Sequence, residues 1–114
     1  MLSHEKLDVY DVALELFALT STILERLPRG SGNLKDQLNR AVTSILLNIA
    51  EGAGKLRPKD KSRFYSISRG SAFESAAIYD ALKVRHLLKP NEYRRGKTLA
   101  SRTAAMLTKM VEIE

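Results

Sequence analysis

The sequence predicts an all-α protein, an up-down-up-down antiparallel four-helix bundle, and three observations predict it. Three clusters of helix-breaking residues, Pro28-Arg29-Gly30-Ser31-Gly32, Gly52-Ala53-Gly54 through Pro58, and Lys89-Pro90-Asn91, cut the 114 residues into four segments. Each segment places apolar residues at steps of three and four, and none alternates with period two. No cysteine is present, so packing alone must hold so small a fold, without disulfides or thiolate metal sites. Short connections make consecutive helices antiparallel neighbours. One domain over residues 1–114 is expected, with helices at about 3–27, 33–52, 58–88 and 90–112.

Segment one carries Leu7, Tyr10, Leu14, Phe17 and Leu24 on one stripe, the expected inner face. A second stripe, Val9, Val12, Leu16, Leu19 and Ile23, lies roughly 160° away around the helix. One face of a peripheral bundle helix meets its own core, so the second stripe predicts homo-oligomerisation through those five residues. The other reading is a helix central in a tightly packed monomer and buried on both stripes. Asp8, Asp11, Glu15 and Glu25 would then keep a third strip in water.

Segment two aligns Leu34, Leu38, Ala41, Val42, Ile45 and Ile49. Segment three opens with Pro58 at the first helical position and Asp60 in the first turn, where an acid suits the helix dipole. Its expected inner face is Phe64, Ile67, Ser71, Ser75, Ile78 and Leu82. At about thirty residues it would run on the order of 45 Å, so its first turns should project beyond shorter neighbours. Segment four opens at Pro90, carries a weaker stripe of Tyr93, Leu99, Ala100, Thr103, Met106, Leu107 and Met110, and should fray near Glu114.

Charge is divided unevenly. Residues 1–54 hold five Lys/Arg against seven Asp/Glu, whereas residues 55–114 hold fourteen against six, and the whole chain carries +6. An excess of this sign invites an anionic partner. The opening Met1-Leu2-Ser3-His4-Glu5-Lys6 lacks an apolar leader and no apolar run is long enough to cross a bilayer, so a soluble, cytoplasmic protein without a membrane partner is expected.

Catalytic and cofactor patterns fail one by one. His4 and His86 stand far apart, without carboxylates at helical metal-site spacing. Gly52-Ala53-Gly54-Lys55 resembles the end of a phosphate loop, but Ile49 replaces the first glycine and Leu56 the magnesium-binding hydroxyl. Ser3-x-x-Lys6 lacks every accompanying element of the nucleophile motif it spells. No nucleophile, base and oxyanion donor come together, so no enzyme, metal or cofactor is expected.

Two polar clusters remain. Arg40, Asn48, Glu51, Arg69, Ser71 and Glu74 form a candidate hydrogen-bonded clasp between segments two and three, with Gly70 expected to admit another backbone closely. The clasp reads either as a structural device fixing helix register or as a ligand site. Lys55, Arg57, Lys59, Lys61 and Arg63 alternate through the second connection into segment three, opposed only by Asp60. A second basic group follows at Lys83, Arg85, Lys89, Arg94, Arg95, Lys97 and Arg102. These are either an ordinary solvated surface or a means of neutralising several phosphates at once, the usual basis of sequence-independent nucleic-acid affinity.

The run Gln37-Leu38-Asn39-Arg40-Ala41-Val42-x-Ser44-Ile45-x-x-Asn48-Ile49-Ala50-Glu51-Gly52-x-Gly54-Lys55, followed by Arg63-Phe64-Tyr65-x-Ile67-x-Arg69-Gly70-Ser71-Ala72-x-Glu74, resembles the bacterial four-helix-bundle proteins encoded in intervening sequences of 23S ribosomal RNA genes. The similarity takes in Leu7-x-Val9-Tyr10-x-x-Ala13 and weakens after about Leu88. Tyr10 stands where that family often has tryptophan, and Lys55 where arginine is frequent, which removes bidentate phosphate geometry there. The resemblance implies an up-down bundle assembling as a ring-like homopentamer. More distantly it implies kinship with accessory proteins of diversity-generating retroelements, which bind nucleic acid and a reverse transcriptase. The expected protein is therefore a non-enzymatic, pentameric bundle offering basic surface to RNA or DNA. The alternative is a scaffold that binds a protein partner and has no direct nucleic-acid role.

Overall fold

The structure, a computed structural model, describes residues 2–111. A 3-10 turn at Ser3–Lys6 precedes helix α1 (Asp8–Arg26), and a second 3-10 turn at Arg29–Ser31 leads into α2 (Gly32–Ala53). Helices α3 (Pro58–Val84) and α4 (Pro90–Met110) follow. Among the described residues there are no strands. The fraying expected near Glu114 lies outside them.

Each boundary has a local cause. Leu7 is extended, so α1 starts at Asp8, with Asp8 and Asp11 at its positively polarised N-terminus. It stops at Leu27, held extended by the following Pro28. Arg57 and Lys89 are likewise extended before Pro58 and Pro90, each of which occupies a first helical position. Helix α3 stops at Val84, four residues before the expected end. His86 turns left-handed (φ 59°), its N–H bonds to Lys83 O and that of Leu87 to Leu82 O. That pair of bonds is a Schellman closure with histidine where glycine usually stands, so no glycine marked the stop in the sequence.

Helix α1 packs against α2 and α4, and α3 packs against α2 and α4, while the backbones of the diagonal pairs stay apart. The core fills the centre of this square. Leu38, Ile45 and Ile49 of α2, Tyr79 and Leu82 of α3, and Leu99 and Leu107 of α4 are all fully buried there. Burying a Leu or Ile side chain contributes about 1.5–3 kcal/mol. Across the diagonal from α1 to α3, Thr20 Oγ1 and the Tyr79 hydroxyl share a buried hydrogen bond of 2.8 Å.

The two stripes of α1 are corrected here. Val9, Val12, Leu16 and Ile23, expected at an interface between copies, are 0–5% exposed and belong to the core, and Leu19 is half-buried against it. Leu7, Tyr10, Phe17 and Leu24 of the expected inner stripe are only half-buried, and Leu14 is 39% exposed. Ala13, Thr20 and Leu27 are buried between the stripes and merge them into one broad apolar half of the helix. Small side chains at 13 and 20 let the backbone come close, so both stripes converge on the same core.

The first half of α3 is also rotated from expectation. Tyr65, Ser68 and Ala72 face inward, whereas Phe64 is half-buried and Ile67 is 47% exposed. Ser68 is small enough for close helix contact, and its hydroxyl donates to Ile45 O at 2.8 Å across α2. Tyr65 fits because Gly52 has no side chain; a Cβ there would stand 2.8 Å from Tyr65 Cε1. Gly70 has open space around it on the exposed face of α3, so the close backbone approach expected there is absent, and Gly52 and Gly96 are the glycines that packing requires.

Candidate functional site

The connection between α2 and α3 is four residues long, Gly54-Lys55-Leu56-Arg57. Gly54 N–H bonds to Ala50 O and Lys55 N–H to Gly52 O, which closes α2, and the constraint before Pro58 extends Arg57 and starts α3. The result is a tight hairpin end bearing Lys55, Arg57, Lys59, Lys61 and Arg63, with Glu51 and Asp60 the nearby acids in sequence.

These five cations do different work. Lys61 Nζ donates to Ala53 O at 2.9 Å and lies 3.5 Å from Gly52 O, neutralising the carbonyl end of α2. That engagement gives Lys61 a capping role at the end of α2 beside its expected place among the anion contacts. Lys55 Nζ lies 3.3 Å from Glu51 Oε2 and 5.2 Å from the centre of the Phe64 ring. Arg63 Cζ lies 4.9 Å from the same ring, so Phe64 organises two cations at the outer surface. Arg57, Lys59 and Arg63 are exposed, and Leu56 between the cations is 95% exposed. Phe64 and Leu56 were not singled out in the sequence as site residues; the only trace is an aromatic beside Arg63, nine positions from Lys55.

The polar clasp forms in part. Ser71 Oγ bonds to Ser44 Oγ at 2.8 Å, and Asn48 Nδ2 donates to Ser44 O and Oγ at 2.9 and 3.0 Å. Ser44, outside the expected six, is the joint. Arg69 turns to α4 instead: its Nε donates to Thr108 Oγ1 at 2.6 Å and its guanidinium covers Phe73 at 4.7 Å. Glu51 is taken by Lys55, and Arg40 and Glu74 are exposed. The six residues are therefore not one site. The two that do meet, Asn48 and Ser71, join through Ser44 in a short hydroxyl and amide chain tying α2 to α3.

The second basic group is at the other end of α3, which spans about 40 Å of a molecule 43 Å long. Asp80 Oδ1 accepts from Lys97 Nζ and from the Tyr93 hydroxyl, both at 2.7 Å. Those two bonds hold the Asp80 carboxyl below its ordinary range and push Lys97 and Tyr93 up. Arg95 pairs with Glu15 at 2.8 Å. Glu92, largely buried, accepts from Arg26 Nη2 at 2.7 Å and from Lys89 N–H at 2.9 Å, pinning the end of α1 to the start of α4. Among the described residues no three His, Cys, Asp or Glu converge on a metal-sized site, and no helix is long and apolar enough to cross a membrane.

A model of the 23S rRNA-intervening sequence proteins matches residues 5–109, which takes in α1, α2 and α3 whole and α4 up to its last residue. The chain belongs to the 23S rRNA-intervening sequence protein family. No curated protein matches it. The Asn48 and Ser71 positions of the family-like run are those that meet through Ser44, and its Lys55, Arg63 and Phe64 are those that meet at the hairpin end. Both halves of that run thus converge along the contact between α2 and α3.

Proposed function

We propose that the protein is a non-enzymatic, up-down-up-down bundle that assembles with copies of itself into a ring of five and holds RNA or DNA by its phosphates at the α2–α3 end. The observation that carries the nucleic-acid reading is the grouping of Lys55, Arg57, Lys59 and Arg63 on one tight connection and the first turns of α3, with Lys55 and Arg63 each held at the Phe64 ring. Contacts of this kind position a polyanion without reading its bases, so little sequence preference follows. The family's description as 23S rRNA-intervening sequence proteins supports RNA as the first polyanion to try.

The up-down course is supported by opposed register. Along α3, Lys61, Ser68 and Ser71 meet Ala53, Ile45 and Ser44 in descending order, and Arg69 and Asp80 meet Thr108 and Lys97. Self-assembly can no longer rest on the buried stripe of α1. Its support is the large apolar side chains left outside, Leu14, Leu47, Ile67 and Phe73, which are the material for contact between copies. A second reading, a scaffold for an acidic and apolar partner chain, is favoured by Leu56 standing exposed between Lys55 and Arg57.

Anisotropy of labelled mixed-sequence RNA and duplex DNA tests the first reading. With four phosphates neutralised, affinity for single strands should fall roughly 50-fold between about 50 and 200 mM salt. No binding at the lower salt refutes it and leaves the scaffold. Light scattering tests the ring: a mass five times 12.8 kDa is expected, and a monomer refutes it.

A further inference from the structure

We propose that the cleft where α3 turns into α4 binds a nucleoside monophosphate, with the phosphate at Lys83, His86 and Arg94 and the flat heterocycle against Leu88, Pro90 and Tyr93. These six residues line one half-open cavity of about 480 Å³, a size within the range of small-ligand sites. The inference is independent of the hairpin end, which lies at the opposite end of α3.

Three features point to an anion. First, Lys83, His86 and Arg94 are all exposed, and among the described residues none of the three is in an ion pair. Second, the carboxylates of the neighbouring turns are already committed: Asp80 to Lys97 and the Tyr93 hydroxyl, Glu92 to Arg26 and the Lys89 backbone. Asp80 lies within electrostatic reach of Lys83 but bonds to Lys97 and Tyr93, so its single charge is shared and Lys83, His86 and Arg94 keep N–H groups open to an incoming anion. Third, the left-handed turn at His86 reverses the chain within five residues, so cations from the end of α3 and from α4 line the same walls.

Apolar lining narrows the class. Tyr93, already under Lys83 Nζ at 4.3 Å, joins Leu88 and Pro90 on a wall that bare phosphate would leave unused. A phosphomonoester joined to a flat ring uses both halves of the cleft. A free mononucleotide and the 5′-phosphorylated end of an oligonucleotide both present that chemistry.

Calorimetric titration of the full chain with adenosine 5′-monophosphate tests the proposal, with adenosine, inorganic phosphate, and a short oligonucleotide bearing or lacking a 5′-phosphate as the other arms. The monophosphate should bind more tightly than adenosine or phosphate. Arg94→Ala and Lys83→Ala should each weaken it at least roughly tenfold, the loss usual for a contact to a charged group. His86→Gly keeps the left-handed backbone and should weaken binding while leaving the melting temperature no lower, which a merely structural histidine would not do. The Lys55→Ala/Arg57→Ala/Arg63→Ala variant should bind the monophosphate unchanged. Oligonucleotide binding that requires the 5′-phosphate and persists in the Lys55→Ala/Arg57→Ala/Arg63→Ala variant supports the chain-end source, and binding of the monophosphate alone the free one. Adenosine or phosphate binding as tightly as the monophosphate, no saturation by either phosphorylated probe, or affinity unaltered by Arg94→Ala and Lys83→Ala overturns the proposal.

Discussion

The ring of Tyr79 lies directly on Gly96: a Cβ on the glycine would overlap ring atoms Cδ2, Cε2 and Cζ. Helices α3 and α4 approach at that point because residue 96 has no side chain, and Tyr79 then reaches Thr20 on the far side of the core. Gly96→Ala forces the ring out of place and should destabilise the fold by about 1–3 kcal/mol. Urea denaturation measures this, and an unchanged midpoint would mean the ring is free to move aside.

Gly70→Ala has the opposite expectation. Nothing stands within 4 Å of the site, so adding a methyl group to an exposed helix interior should stabilise by about 0.5–1 kcal/mol. Loss of stability in the same denaturation series would place another surface against Gly70 in solution.

Alkaline pH should act through Tyr79. Burial pushes its phenol up to about 12, against the ordinary value of 10.0. The unfolded chain ionises first, so this contribution is complete below about pH 10 and declines as pH rises toward the folded value. Tyr79→Phe should cost about 1 kcal/mol at pH 7, by leaving Thr20 without its partner. The same variant should lose less stability than the parent between pH 7 and 11. An equal alkaline loss in both proteins would assign that decline to other groups.

Lys61 and Arg57 should separate folding from binding. Lys61→Ala removes the cation at the carbonyl end of α2 and should lower stability by about 0.5–1 kcal/mol with little effect on RNA affinity. Arg57→Ala should do the reverse, since Arg57 is exposed. Thermal melts alongside RNA titrations decide the pair, and the opposite pattern would set the anion contact of Lys61 above its capping role.

Helix number, helix order and the inner face of α2 were legible in the sequence because proline and glycine punctuation and a single clean stripe leave one solution. Leu38, Val42, Ile45 and Ile49 are buried as their spacing predicts. Helix α1 misled because two apolar stripes carry no label saying which is inner; Ala13 and Thr20, silent in a count of large side chains, decided that both converge. In α3, Phe64 and Ile67 looked like core by hydropathy, yet Ser68 and Tyr65 won those positions through a hydroxyl partner at Ile45 and the absent side chain at Gly52. The basic run was visible as charge alone. Its division between a cap at Lys61 and a cation pair about Phe64 depends on side-chain reach, which spacing does not encode.

The salt dependence of RNA binding in parent and Lys55→Ala/Arg57→Ala/Arg63→Ala proteins tests the hairpin end most directly. Each phosphate that a removed cation no longer neutralises should lower the slope of log affinity against log salt by about 0.7 for single strands, so the triple variant should fall short of the parent by roughly 2. Matching slopes in two equally folded proteins would contradict the account and place the polyanion elsewhere.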